Sequence, residues 1–203
     1  MTDAGTPRED RRTTDDHGHD LLDPVHAAVV TVSTSRAEAV ADDPDADPED
    51  PGGDTVQDCF EADGHRVVER LLVRDDYAAI RTAVRGLVAR RDVDVVVTTG
   101  GTGVTADDVS PDAVSSLFER DLPGFGELFR LLSWEEVGTR AMASRATAGI
   151  AVDTPIFCLP GSSSACRTAC EELIVPEVPH LAGLATKHRA AAEAVTLDAY
   201  DDE

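Results

Sequence analysis

Residues 93–111, VDVVVTTGGTGVTADDVSP, constrain the fold more than any other stretch of this chain. The run opens on Val93-Asp94-Val95-Val96-Val97, apolar and β-branched, which predicts a strand buried on both faces. Thr98 and Thr99 follow, then Gly100-Gly101-Thr102-Gly103, a glycine-dense turn at the strand's carboxyl end. Asp107, Asp108 and a Ser110-Pro111 step come next, the last reading as a helix start. In open α/β sheets ligands bind outside the carboxyl ends of strands, where glycines let backbone N–H groups approach an anion closely. A plain strand-to-helix turn needs no ligand. Three glycines in four residues, with two hydroxyls and two acids, favour a phosphate-handling site.

The flanking chain repeats the same grammar. Residues 26–32 (HAAVVTV) predict a first strand, ending in the hydroxyl-rich turn Ser33-Thr34-Ser35-Arg36. Residues 65–73 (HRVVERLLV) predict a second, followed by Asp75 and Asp76 and a helix over 77–90 with Ile80, Val84, Leu87 and Val88 on one face. Strand, helix and strand in alternation imply a mostly parallel sheet. Aspartates at such positions are most often helix caps. Carboxylates from two strand ends beside a glycine loop are also what a magnesium–phosphate site needs, since Mg²⁺ takes one or two carboxylates and fills its shell with water and phosphate oxygens. Capping and metal holding are compatible for Asp75 and Asp108, while Asp76 and Asp107 read as structural.

Elsewhere, 1–23 has the composition of a disordered tail and 37–54 that of an acidic, proline-broken loop. A helix capped by Asp54 fits 54–62, another 112–120, and residues 133–148 read as helical. A helix starting at Pro123-Gly124-Phe125-Gly126 carries Glu127 in its first turn, and TPIFCL (154–159) is a strand. The small-residue turn Pro160-Gly161-Ser162 runs into a helix ending near Ile174, and a last helix covers about 180–192 before a tail at 193–203. Free N–H groups at a helix start suit an anion, although a serine cap alone accounts for that turn. The ordered domain is therefore expected over 24–192.

Forty acids against eighteen bases give a formal net charge of −22, with a single lysine, Lys187, and no asparagine. Acids spread along the whole chain suit a cytoplasm at very high salt, where the Debye length falls to about 3 Å and self-repulsion is screened. The fold is therefore expected to need molar salt. Thermal melts followed by circular dichroism in dilute and in molar salt test this, and identical midpoints would contradict it. Such charge disfavours nucleic-acid binding. The absence of any long apolar run or apolar leader predicts a cytoplasmic protein with no membrane partner. The four cysteines lack metal-site spacing and read as buried thiols, and His17-x-His19 as tail.

The glycine turn lacks the G-x-x-x-x-G-K-[ST] pattern of P-loop proteins and the third glycine of a dinucleotide fingerprint, and no G-x-S-x-G elbow occurs. What remains from the residues alone is a binder of a phosphorylated small molecule or nucleotide, with acids suited to Mg²⁺.

TTGGTG (98–103), DDVSPDA (107–113), DLPGFGELFR (121–130), AMASRATAGI (141–150) and LPGSSSACR (159–167) resemble, in order and spacing, the molybdenum-cofactor biosynthesis family that includes MoaB and MogA. The resemblance covers about residues 25–183 and is greatest toward MoaB-type members. It implies a three-layer α/β/α sandwich with a mostly parallel central sheet, assembled as a trimer or a hexamer of trimers. The implied activity is Mg-ATP-dependent adenylylation of molybdopterin, ahead of metal insertion by a MoeA-like partner. Carried onto matching positions, Asp75 and Asp108 are catalytic and hold Mg²⁺. Ser33, Thr99, Gly100, Gly101, Thr102, Gly103, Glu127, Pro160, Gly161 and Ser162 line the substrate site. Where many relatives carry a lysine, this chain has Ser164, so a cationic contact to the ligand phosphate is either missing or supplied by an arginine such as Arg167. A molybdopterin-binding scaffold without activity and a CinA-like nucleotide-processing domain are the alternatives.

Overall fold

Small and β-branched apolar residues fill His26–Val32 and Val95–Thr99, and every residue of both segments is buried. Such segments need a sheet covered on both faces. That arrangement is present in the computed structural model, which describes residues 7–15, 18–43 and 45–186. A hairpin of β1 (Arg12–Thr14) and β2 (Asp20–Leu22) leads into β3 (His26–Val32), α1 (Thr34–Asp42), α2 (Pro51–Ala62), β4 (Arg66–Val73), α3 (Tyr77–Val88) and β5 (Val95–Thr99). There follow α4 (Ser110–Ser115), β6 (Arg120–Asp121), α5 (Pro123–Val137), β7 (Thr147–Ala151), β8 (Thr154–Leu159), α6 (Ser163–Ala169) and α7 (Val175–Ala185).

The main sheet has the order β4-β3-β5-β8-β7-β6. Strands β4, β3, β5 and β8 are parallel, while β7 runs antiparallel to both its neighbours. Side chains alternate across it: Val95 and Val97 pack with Phe60, Phe129 and Ile174 on one face, and Val96 packs with Ile80, Val84 and Val114 on the other. Helices α2, α5, α6 and α7 cover the first face and α3 and α4 the second, giving the expected three-layer α/β/α sandwich. Among the described residues no helix is long and apolar enough to cross a membrane.

The structure corrects the expected tail at 1–23 where it describes it. A 3₁₀ turn at Arg8–Arg11 and the β1–β2 hairpin pack on the domain, with Leu22 buried in the core. The cause is a buried charge, Asp94, at the amino end of β5. Its carboxylate accepts from Arg8 Nε at 2.8 Å, Arg11 Nη1 at 2.5 Å and the His26 amide at 2.9 Å. Asp94 and Arg11 are both buried, where a charge is costly unless it is paired, so the carboxylate draws the N-terminal segment onto the domain. Farther along, Arg12 reaches Thr186, and the backbone of Asp20 lies against Gly183 so closely that a Cβ there would collide with it.

The expected acidic loop at 37–54 shrinks to 43–50, because α1 occupies its first part and α2 begins at Pro51. Helix α1 buries nothing, so it has no apolar stripe to read. The cap of α2 is Asp50, not Asp54: Asp50 accepts from the Gly53 amide at 3.2 Å and, through its other oxygen, from Thr31 Oγ1 and Arg70, both at 2.6 Å. Burial pushes the Asp50 carboxyl up, but these donors outweigh it and hold it below the usual value. The helical reading of 133–148 fails after Ala143, since Thr147–Ala151 is strand β7, joined to β8 by a turn in which Val152 and Asp153 both have positive φ. The helix expected at 112–120 is the shorter α4, followed by β6. The two expected C-terminal helices are one rod, α6 joined to α7 by a π turn at Cys170–Ile174. His17, the end of the helix expected to 192 and the tail expected at 193–203 lie outside the described residues.

Candidate active site

Strand β4 lies on one side of β3 and β5 on the other, so the sheet's switch point falls between β3 and β5. Open α/β sheets bind ligands in the crevice at the carboxyl ends of such a pair. Here that crevice is closed at its base by Gly100, whose φ is +105°, and a Cβ on it would press into the carbonyl of Val32, the last residue of β3. Gly161 packs within 3.3 Å of the Gly100 Cα, measured from the position of its own absent Cβ. The turn after β8 therefore sits directly on the turn after β5.

The glycines at 101 and 103 make room for carboxylates as well as for a ligand. A Cβ on Gly101 would lie 2.9 Å from Asp75 Oδ1 and would strike Ser110 Oγ, and one on Gly103 would lie 2.7 Å from Asp108 Oδ2. Each predicted catalytic aspartate is thus seated on one glycine of the loop. Asp75 does not cap α3, a task taken by Asp76, which accepts from the Ala79 amide at 2.8 Å. Instead Asp75 Oδ2 accepts from the Thr34 amide at 3.0 Å and the Thr34 hydroxyl at 3.2 Å. Asp108 Oδ2 accepts from the Thr105 amide at 2.9 Å and the Thr105 hydroxyl at 2.5 Å. Those Thr105 bonds hold its carboxyl below the usual range, so it is ionised at neutral pH. Asp107 is exposed and makes a backbone turn to Val109, as a scaffold residue does.

The other predicted residues divide. Ser33 caps α1 at the end of β3, its amide bonding the Val73 carbonyl at 2.8 Å. Ser162 caps α6, accepting from the Ala165 amide at 3.4 Å, with Pro160 and Gly161 just before it. The Thr99 hydroxyl is spent inside the protein, on the Pro160 carbonyl at 3.0 Å and Cys166 Sγ at 3.2 Å, so it braces two strand ends and is not free for a ligand. Thr102 is buried, and its carbonyl accepts from the Arg145 amide. Glu127 is exposed and lines a neighbouring cleft of about 370 Å³ together with Pro111, Asp112, Arg130 and Arg145. Arg167 is turned to Glu171, 3.0 Å away, and is not aimed at the crevice. The cysteines are free and buried as expected, and burial pushes the Cys166 thiol up to about 11.

Oxygen atoms dominate the crevice, as a hard cation requires. Asp75 Oδ1 takes no bond from a described residue, and the buried Ser110 hydroxyl beside it is without a partner. Among the described residues no three of His, Cys, Asp and Glu converge tightly enough to hold a metal alone. Two carboxylates beside the glycine turn would repel a bare phosphate. The residues therefore fit Mg²⁺ that arrives with a polyphosphate completing its shell.

A family profile described as "Probable molybdopterin binding domain" matches residues 28–180. The chain belongs to the MoaB and MogA family of molybdenum-cofactor biosynthesis. The family domain encloses Asp75, Asp108, Glu127 and Ser162 and leaves the β1–β2 hairpin outside it. Among relatives, molybdenum cofactor biosynthesis protein B of Escherichia coli K12 is 44% identical over 155 residues, 76% of this chain and 86% of that one. A crystal structure of a molybdenum cofactor biosynthesis protein B superposes with a TM-score of 0.72 at 38% identity, over 80% of this chain and 96% of that one. The tungsten cofactor synthesizing protein MoaB of Pyrococcus furiosus gives 0.68 at 34%, over 78% and 95%. Two site residues were not picked out in the sequence as site residues, Thr34 and Arg145. Thr34 stood in a hydroxyl-rich turn, and Arg145 in one of the family's motifs.

Proposed function

We propose that this chain adenylylates molybdopterin at the expense of Mg-ATP. The observation that carries the reading is the pair Asp75 and Asp108, seated on Gly101 and Gly103 at the switch point of the sheet. In this reaction the terminal phosphate of molybdopterin is the nucleophile. Its oxygen bonds to the α-phosphorus of ATP, the bond to the bridging oxygen breaks, and pyrophosphate leaves. Bound Mg²⁺ supplies charge neutralisation on the triphosphate and on the leaving pyrophosphate. Asp75 Oδ1 and Asp108 would hold it, with Asp108 toward the reacting phosphate. The amides of Gly101 and Gly103 would cradle phosphate oxygens, whereas the Gly100 amide is taken by the Leu159 carbonyl at 3.0 Å and braces the turn. Glu127, in the adjoining cleft, suits the hydrogen-bond donors of a pterin ring. The product would pass to a MoeA-like protein for metal insertion.

An exposed apolar stripe on α5 supports self-assembly of the chain, as a trimer or a hexamer of trimers. Leu128, Leu131, Trp134 and Val137 recur every third residue along it and are all exposed, Leu131 at 65%. Arg167, engaged by Glu171, supplies no cation to the crevice in place of the lysine of relatives, so ATP affinity should rest heavily on the metal. Titration of ATP binding with and without Mg²⁺ tests this. We expect affinity to fall about 100-fold or more when the metal is chelated. Equal affinity in both conditions would contradict a metal-held nucleotide.

A further inference from the structure

The loop that carries Asp108 is tied mostly to itself. Thr105 bonds Asp108 twice, Asp108 returns a bond to the Thr105 carbonyl, and Val109 bonds Asp107. Its residues 104–107 are exposed, Val104 at 72%. A loop of this kind opens at low cost unless something outside it closes it.

That outside group is Arg145, two residues before β7. Its amide bonds the Thr102 carbonyl at 3.0 Å, and its Nε bonds the Gly103 carbonyl at 2.8 Å. Its Nη2 bonds the carbonyl of Asp108 itself, and its Nη1 bonds Asp112 Oδ2 at 3.0 Å. One planar guanidinium thus joins the first and last carbonyls of the 103–108 loop and the helix that follows. An ammonium presents a point charge and no fixed fork, so it cannot hold both carbonyls in one geometry. The same side chain lines the cleft with Glu127, so the wall of the cleft and the clasp of the loop are one residue.

We propose that Arg145 is a positioning residue, stapling the 103–108 loop so that Asp108 meets the reacting phosphate at the wall shared with the Glu127 cleft. The adenylyltransferase reading above supplies the reaction, whereas the staple stands on this geometry alone. Misplacing a reacting group by about 1 Å costs on the order of 100-fold in rate. The test compares wild type with Arg145→Lys and Arg145→Ala in three measurements: amide hydrogen exchange over 104–109, steady-state kinetics and the melting midpoint.

In both variants loop exchange should rise about tenfold or more and kcat should fall on the order of 100-fold, while KM for Mg-ATP rises by much less, because Asp75 still holds the metal. Arg145→Lys should be nearly as impaired as Arg145→Ala, because it keeps the charge and loses the fork. A lysine variant with wild-type kcat, or loop exchange unchanged in Arg145→Ala, would overturn the proposal. A rate loss accompanied by an equal rise in KM, or by global unfolding in both variants, would also overturn it. Exchange needs no turnover, so an inactive wild type would sink the adenylyltransferase reading while the exchange data still judged the staple.

Discussion

Asp108→Ala is expected to lower adenylylation by about 10³-fold or more and to leave the fold intact. The side chain lies on an exposed loop, and its bonds within the protein go to Thr105, in the same turn, so its removal frees no buried donor in the core. What disappears is the negative charge of the carboxylate seated beside Gly103. Asp108→Asn should be nearly as inactive, because it retains an acceptor for Thr105 but not the charge that would hold the proposed metal. Asp75→Ala should behave differently. It also strips the Thr34 amide and hydroxyl of their acceptor, so a weakened fold should accompany the lost activity. Rates and melting midpoints measured on all three variants check this. Turnover in Asp108→Ala within tenfold of wild type would refute its assigned role.

The second large effect lies at the other, amino end of the same central strands. Asp94→Ala should destabilise the protein by about 3–5 kcal/mol, because it removes the carboxylate that pairs with buried Arg11 and accepts from the His26 amide. For a domain of this size that lowers the melting midpoint by roughly 10 °C. Arg8, bound to the same carboxylate, would be released with it. Surface pairs are screened by salt and a buried pair much less so, hence the deficit should persist in molar salt. A melt of the variant within about 2 °C of wild type would show that the N-terminal segment contributes little.

The same ion pair explains why part of the fold was not legible in the chain. Arg8 and Arg11 stand in a run of charges that reads as tail, and their partner is more than eighty residues away. Local composition holds no trace of such a contact. Strands β3, β5 and β8 were legible because burial on two faces demands continuous apolar runs, and β4, a partly buried edge strand, was legible from its Val and Leu residues. Strand β7 was not, since Thr147–Ala151 (TAGIA) carries alanines that suit a helix, and its conformation is imposed by pairing with β8. The juxtaposition of the two predicted acids with the glycine turn at strand ends was legible, and the structure brings them together there. The purpose of the glycines was only half legible. They were expected to admit a phosphate, and Gly101 and Gly103 also admit the carboxylates of Asp75 and Asp108. Thr99 looked available and is not, because its hydroxyl is committed across to the Pro160 carbonyl, a contact set by strand register.

The central claim is that this crevice transfers an adenylyl group and does more than hold a pterin. Incubation of the chain with molybdopterin, ATP and Mg²⁺ in high salt, with products resolved by mass, tests it directly. The account predicts adenylylated molybdopterin and pyrophosphate formed in equal amounts, and neither when the metal is chelated. Tight retention of molybdopterin with no adenylylated product would contradict it.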